Sequence, residues 1–128
     1  MPEVKLKPVS VDGVASTGTE VIAVGFDIRV LRVTVEFRPT RDWVYIDFSF
    51  PRGFRVLDEG DLVEYWRAPH AQESFLFEVE SGGWLDLEAQ RSGFVSTQRK
   101  DVTEYLVAGE EACVSVLAIE RPHVAVCK

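Results

Sequence analysis

The chain is poor in the residues that carry most cofactor and redox chemistry: it has two cysteines, two histidines and one methionine in 128 residues. Cys113 and Cys127 are too few, and too far from Cys-x-x-Cys spacing, to form a zinc or redox motif. No run approaches the ~18 apolar residues of a membrane span, and Met1-Pro2-Glu3-Val4-Lys5 lacks the apolar core of a signal peptide. Both thiols are therefore expected reduced and unpaired in a cytoplasmic protein, Cys113 in the core and Cys127 exposed. Basic clusters are missing as well. Fourteen Lys and Arg stand against 21 Asp and Glu, a formal charge of −7, which argues against nucleic acid or an anionic membrane as the main partner. Neither Gly-x-Ser-x-Gly nor a Gly-Lys-Ser/Thr phosphate loop occurs. The chain also lacks repeats, low-complexity tracts and linkers.

What is present is concentrated between Leu57 and Glu88. Nine carboxylates (Asp58, Glu59, Asp61, Glu64, Glu73, Glu78, Glu80, Asp86, Glu88) face one base there, Arg67, so this stretch accounts for the whole charge excess. Tyr65, Trp66, Phe75, Phe77 and Trp84 share it. Twelve of the fourteen aromatics lie between Phe37 and Phe94, so any pocket or interface is expected from the middle of the chain. Trp43, Tyr45, Trp66 and Trp84 are the candidates for exposure. With 46% hydrophobic and 27% charged residues, the composition is that of one globular domain spanning residues 1–128, large enough to bury a core unaided.

Local pattern predicts strands for most of it. Val4–Val11 alternates loosely around Pro8, and Asp12–Thr19 reads as a loop. From Glu20 to Arg38 apolar residues recur every second position. Their parity changes near Val30–Leu31, which requires either one bent strand or two strands with a kink. Leu31–Arg38 and Trp43–Phe50 form a hairpin across Pro39–Asp42. Asp61-Leu62-Val63-Glu64 has capping-box form and opens a two-turn helix ended by Pro69. Glu73–Glu80 is a strand, and Ser81-Gly82-Gly83 a turn. Trp84–Arg91 reads as a strand or irregular segment followed by a helical turn. Ser92–Lys100 is a loop. Thr103–Ala108 and Ala112–Ile119 pair across Gly109-Glu110-Glu111, and His123–Cys127 adds a short strand. The expectation is a β-rich α+β domain of seven or eight strands and one or two short helices: a single curved antiparallel sheet, or a partial barrel or sandwich.

Two functional readings fit. In the first, a non-enzymatic cytoplasmic protein uses an acidic, aromatic-bearing face (Glu64, Trp66, Glu78, Glu80, Trp84, Asp86, Glu88) to bind a basic protein, for example as an immunity-type neutraliser of a toxin. Carboxylates speed such an encounter, and Trp anchors it. In the second, a small-molecule binder or small enzyme holds an aromatic pocket lined by Phe48, Phe50, Phe75, Phe77 and Trp66, with Asp47, His70 or Tyr105 as inward polar groups. The first is favoured, which disfavours catalysis. A self-pairing dimer would need basic residues such as Arg29, Arg32, Arg38 and Arg41 across its interface. No cofactor is implied. A metal site at Asp58–Glu64 is disfavoured because the acidic residues are too compressed for a calcium loop, and the helix dipole explains their placement.

Overall fold

The computed structural model describes residues 3–11, 18–94 and 101–127. Nine strands and two short helices occur among them. The order is β1 (Lys5–Pro8), β2 (Thr19–Phe26), β3 (Val30–Phe37), β4 (Trp43–Ser49), β5 (Gly53–Asp58), a 3-10 turn (Glu59–Asp61), α1 (Val63–Trp66), β6 (Leu76–Ser81), α2 (Trp84–Glu88), β7 (Thr103–Val107), β8 (Ala112–Ala118) and β9 (His123–Cys127). All strand pairs are antiparallel. They build two sheets, ordered β1-β6-β7-β8-β5 and β2-β3-β4-β9. The architecture is thus a β-rich α+β sandwich, not one curved sheet. No helix among the described residues is long and apolar enough to cross a membrane.

The alternating residues of β3 and β4 make the inner wall of the four-stranded sheet. Leu31, Val33, Val35 and Phe37 join Val44, Ile46 and Phe48, and they pack against Phe75, Leu76, Tyr105, Val107, Val114, Val116 and Ala118 of the other sheet. Three aromatic contacts bridge the layers: Phe26 meets Phe54 edge-on at 5.2 Å, Phe37 meets Phe75 edge-on at 5.5 Å, and Phe48 lies 5.5 Å from Tyr105. Such pairs add about 0.5–1.5 kcal/mol each beyond burial.

The five-stranded sheet is buried on its second face too. There Leu6, Phe77, Val79, Leu106 and Cys113 pack under Leu62 and Tyr65 of the helical connection, with Trp66 and Ala68 at the margin. A strand covered on both faces need not alternate, which is why Cys113–Ala118 reads as a continuous buried run.

Local geometry decides one expectation, in favour of two strands, and corrects two others. The change of parity between residues 20 and 38 comes from a bulge at Ile22, which the β3 register skips between Val21 and Ala23, and from a tight turn at Asp27–Val30. In that turn the Asp27 Oδ1 accepts N–H bonds from Arg29 (3.0 Å) and Val30 (2.8 Å), and Ile28 is left-handed at φ 81°. Asp61 does not cap α1. The helical path begins a turn earlier, with Asp58 accepting from the Gly60 N–H at 2.8 Å, and Leu62 stands at the α1 N-cap with no side-chain bond. Trp84–Glu88 is helical from its first residue, not a strand. Part of the expected Asp12–Thr19 loop and most of Ser92–Lys100 lie outside the described residues.

Candidate functional site

Two polar constellations stand out, one buried and one open. The buried one is built on Glu104, whose side chain points from β7 to the helical side, in phase with Leu106. Only 1% of Glu104 is exposed. Its carboxylate accepts from the Tyr65 hydroxyl (2.8 Å) and from the Leu85 N–H (2.8 Å), while the Tyr65 oxygen accepts from the Trp84 N–H at 2.9 Å. One carboxylate thereby ties α1 and the start of α2 to the sheet. The Gly82–Gly83 turn permits this approach: a Cβ on Gly83 would lie 2.7–2.8 Å from both Glu104 oxygens and the Tyr65 oxygen, so any side chain there forces the carboxylate away. Gly82 supplies the left-handed corner at φ 76°.

Electrostatics in this cluster follow burial. Desolvation pushes the Glu104 carboxyl above its ordinary value, against the opposing pull of its backbone donors, Tyr65 and Arg55. Burial, and then the neighbouring Glu104 charge, push the Tyr65 phenol well above its usual range. The Arg55 guanidinium lies 5.0 Å from the Trp84 ring centroid, with Nη2 3.4 Å from the Tyr65 oxygen. Tyr65 and both Glu104 oxygens are engaged with one another and with the α2 amides, which suits them to hold structure.

The open constellation sits where the β7–β8 turn meets β2 and the segment after β5. A cleft of about 450 Å³ is lined there by Thr19, Glu59, Trp66, Gln72, Ser74 and Glu110, among others. Its walls are fixed by backbone bonds: Glu110 N–H to Thr19 O (3.0 Å) and Glu59 N–H to Glu111 O (2.9 Å). The Thr19 hydroxyl donates to Ala108 O at 2.9 Å. Gly109 lets these strands close, because a Cβ there would stand 2.5 Å from Ala112 O and 2.8 Å from Val21 N. The Trp66 indole N–H donates to Glu59 O at 2.7 Å, which orients the ring. Glu110 is 3.4 Å from Arg38, which also holds Glu20 at 2.6 Å. Among the described residues no ion pair engages Glu59, Asp61 or Glu111. An indole beside carboxylates, with hydroxyl and amide groups around them, suits a cationic side chain.

The acidic face expected from sequence does not assemble as one surface. Trp66 lines the acidic cleft, and exposed Glu64 lines a neighbouring one of about 500 Å³ with Glu3 and Arg67. Glu78 shares the parity of Leu76, so it lies on the sandwich side of β6, opposite the helices. Arg121 (3.0 Å) and Lys7 (4.0 Å) hold it there. Exposed Glu80 borders a smaller cleft with Lys5 and His70. The α2 residues serve their own helix. Asp86 accepts from the Gly82 N–H at 2.7 Å, the Trp84 indole donates to Glu88 at 3.2 Å, and Glu88 binds Arg91 at 2.9 Å. The hydrogen bond from Arg91, and then that from Trp84, hold the Glu88 carboxyl below its ordinary value.

The residues of the alternative pocket are dispersed as well. Asp47 lies on the outer face of the four-stranded sheet, gripped by Arg32 at 2.8 and 3.0 Å, with the guanidinium 4.3 Å from the Tyr45 centroid. His70 is an exposed loop residue bonded to Glu73. Tyr105 is sealed in the sandwich core. Phe50, expected to line the pocket, is 67% exposed, and Phe48 and Phe77 lie in different cores.

Sequence reasoning missed Glu104 as a buried carboxylate, the half-buried Arg55 beside it, and Glu110 as a wall of the cleft. The first two carried a signal: Glu104 shares the parity of the core Leu106 and Arg55 that of the partly buried Leu57 within its strand. Among the described residues no group of three or more His, Cys, Asp or Glu side chains could hold a metal ion. No family model matches the chain, and no curated protein or solved structure matches it either.

Proposed function

We propose that the protein is a non-enzymatic interaction module that binds a basic protein partner at the acidic end of the sandwich. The observation that carries this reading is the cleft that gathers Trp66, Glu59 and Glu110, with Asp61 and Glu111 close by on the same 3-10 turn and hairpin. Glu59, Asp61 and Glu111, which no ion pair engages among the described residues, steer a cationic partner from a distance, and a half-buried indole gives it a place to dock. The partner's Lys or Arg enters the cleft, and the acidic rim sets the salt dependence of the encounter. Neutralisation of a basic toxin in the cytoplasm is one concrete form of this activity. Relative to the sequence expectation, the binding residues shift from α2 and β6 to Trp66, Glu59 and Glu110, with Glu64 at the margin.

The test is calorimetric titration with an oligolysine peptide at low and high salt. Binding should weaken with salt, and Glu59→Lys and Trp66→Ala should each weaken it about tenfold, the effect of losing one such contact. Glu88→Gln, at α2, should leave it unchanged. Equal affinity for all three variants would rule the cleft out.

A further inference from the structure

The acidic cleft already has one cation of its own chain at the rim. Arg38 directly follows β3, and its backbone N–H donates to Gly18 O at 2.9 Å, while the Glu110 N–H donates to Thr19 O at 3.0 Å. The start of β2 thus brings the two side chains together, and Gly18, Thr19 and Glu110 all line the cleft. The Arg38 guanidinium reaches two carboxylates at once, with Nη2 2.6 Å from Glu20 and Nε 3.4 Å from Glu110. These contacts are unequal. Glu20 is the closer and more sheltered partner, with 24% of its side chain exposed against 50% for Glu110. Glu36, which stands opposite Glu20 in the β2–β3 ladder, is taken by Arg41 at 3.2 Å and by the Trp43 indole at 3.1 Å.

We infer that Arg38 is an internal stand-in for the partner's basic residue: it occupies Glu110 in the free protein and gives that carboxylate up, keeping Glu20, when a Lys or Arg enters the cleft. The inference rests on the cleft reading proposed above and adds how binding there is set. Its physical basis is the small cost of the exchange. An exposed ion pair contributes little, because water and salt screen it, and Arg38 retains the shorter of its two contacts throughout. The guanidinium has donors enough for both carboxylates, and its exposed edge turns to water when one leaves, so no buried group is orphaned. Arg38 therefore controls affinity by competition. It holds Glu110 at the rim, and its positive charge opposes the incoming cation. Glu20 works in the opposite sense, because it draws Arg38 away from the cleft.

Calorimetric titration of the full chain with oligolysine at low salt tests this. Arg38→Gln should tighten binding about threefold, the size of one exposed charge contact. Glu20→Gln, which leaves Arg38 with Glu110 alone, should weaken it by about the same factor. Glu36→Gln, which removes an equal charge from the same sheet, should leave it nearly unchanged. Arg38→Lys, which keeps the charge, should bind like the unaltered protein, and this separates competition from any loosening of the β2–β3 hairpin. In labelled protein the Arg38 Nε–H resonance should move as oligolysine saturates the cleft. Binding by Arg38→Gln that is equal or weaker would overturn the inference and leave the cleft standing. So would an Arg38→Lys variant that tightens as much as Arg38→Gln, or an Arg38 resonance that stays still at saturation. No binding by the unaltered protein would overturn the cleft reading and this inference with it.

Discussion

Glu104 decides more of the structure than its single position in β7 suggests. It gathers the Tyr65 hydroxyl and the α2 amide of Leu85 into a site almost without water. Its carboxyl is raised by burial, and a carboxyl with a higher pKa in the folded state binds its proton more tightly there. The resulting stabilisation is fully present below the ordinary carboxylate pKa and is lost as pH rises through the raised folded value. Urea unfolding of the protein and of Glu104→Gln across the acidic-to-neutral range should show this: the stability of the protein relative to the variant falls as pH rises. A difference that is constant with pH would contradict the assignment. Tyr65→Phe should cost about 1–3 kcal/mol in the same assay, because it leaves a buried carboxylate oxygen and the Trp84 N–H without their partner.

Among the elements, the β2–β3 hairpin shows how far local pattern reaches. Alternation and the change of parity were legible between residues 20 and 38, as were the hairpins at Pro39–Asp42 and Gly109–Glu111. The position of the break was not, because a bulge and a turn both shift parity and only the pairing with β3 separates them. Ile28 is the surprising residue of that turn. It sits at φ 81° with 73% of its surface exposed, at a hairpin position that favours glycine. Ile28→Gly should therefore stabilise the fold by roughly 1 kcal/mol, the relief of a left-handed β-branched residue that packs against little. Thermal unfolding measures it, and a lower melting temperature would show that Ile28 makes contacts that matter. The helices were harder to read. Both are barely longer than a turn, too short for periodicity to identify, and tertiary bonds to Glu104 and Tyr65 fix α2.

At the scale of the molecule, the fold class was legible in the sequence and the distribution of the acidic residues over the surface was not. An acidic, aromatic region can be counted from composition, but its division between surfaces depends on strand parity and topology. Glu78 and Phe77 are neighbours in sequence and face opposite layers. Glu59 and Glu110 are 51 positions apart and line one cleft. Trp84 and Glu88 looked like interface residues and are held within α2. The account therefore rests on the acidic end, where Trp66 stands with Glu59, which no ion pair engages among the described residues. The most direct measurement is a nitrogen–proton shift titration of the labelled protein with an oligolysine peptide. The account predicts saturable shifts of the Trp66 indole N–H and of the Glu59, Glu110 and Glu111 amides, with the Trp84 indole unmoved. Shifts centred on Glu78, Glu80, Asp86 and Glu88, or a diffuse drift that never saturates, would contradict it.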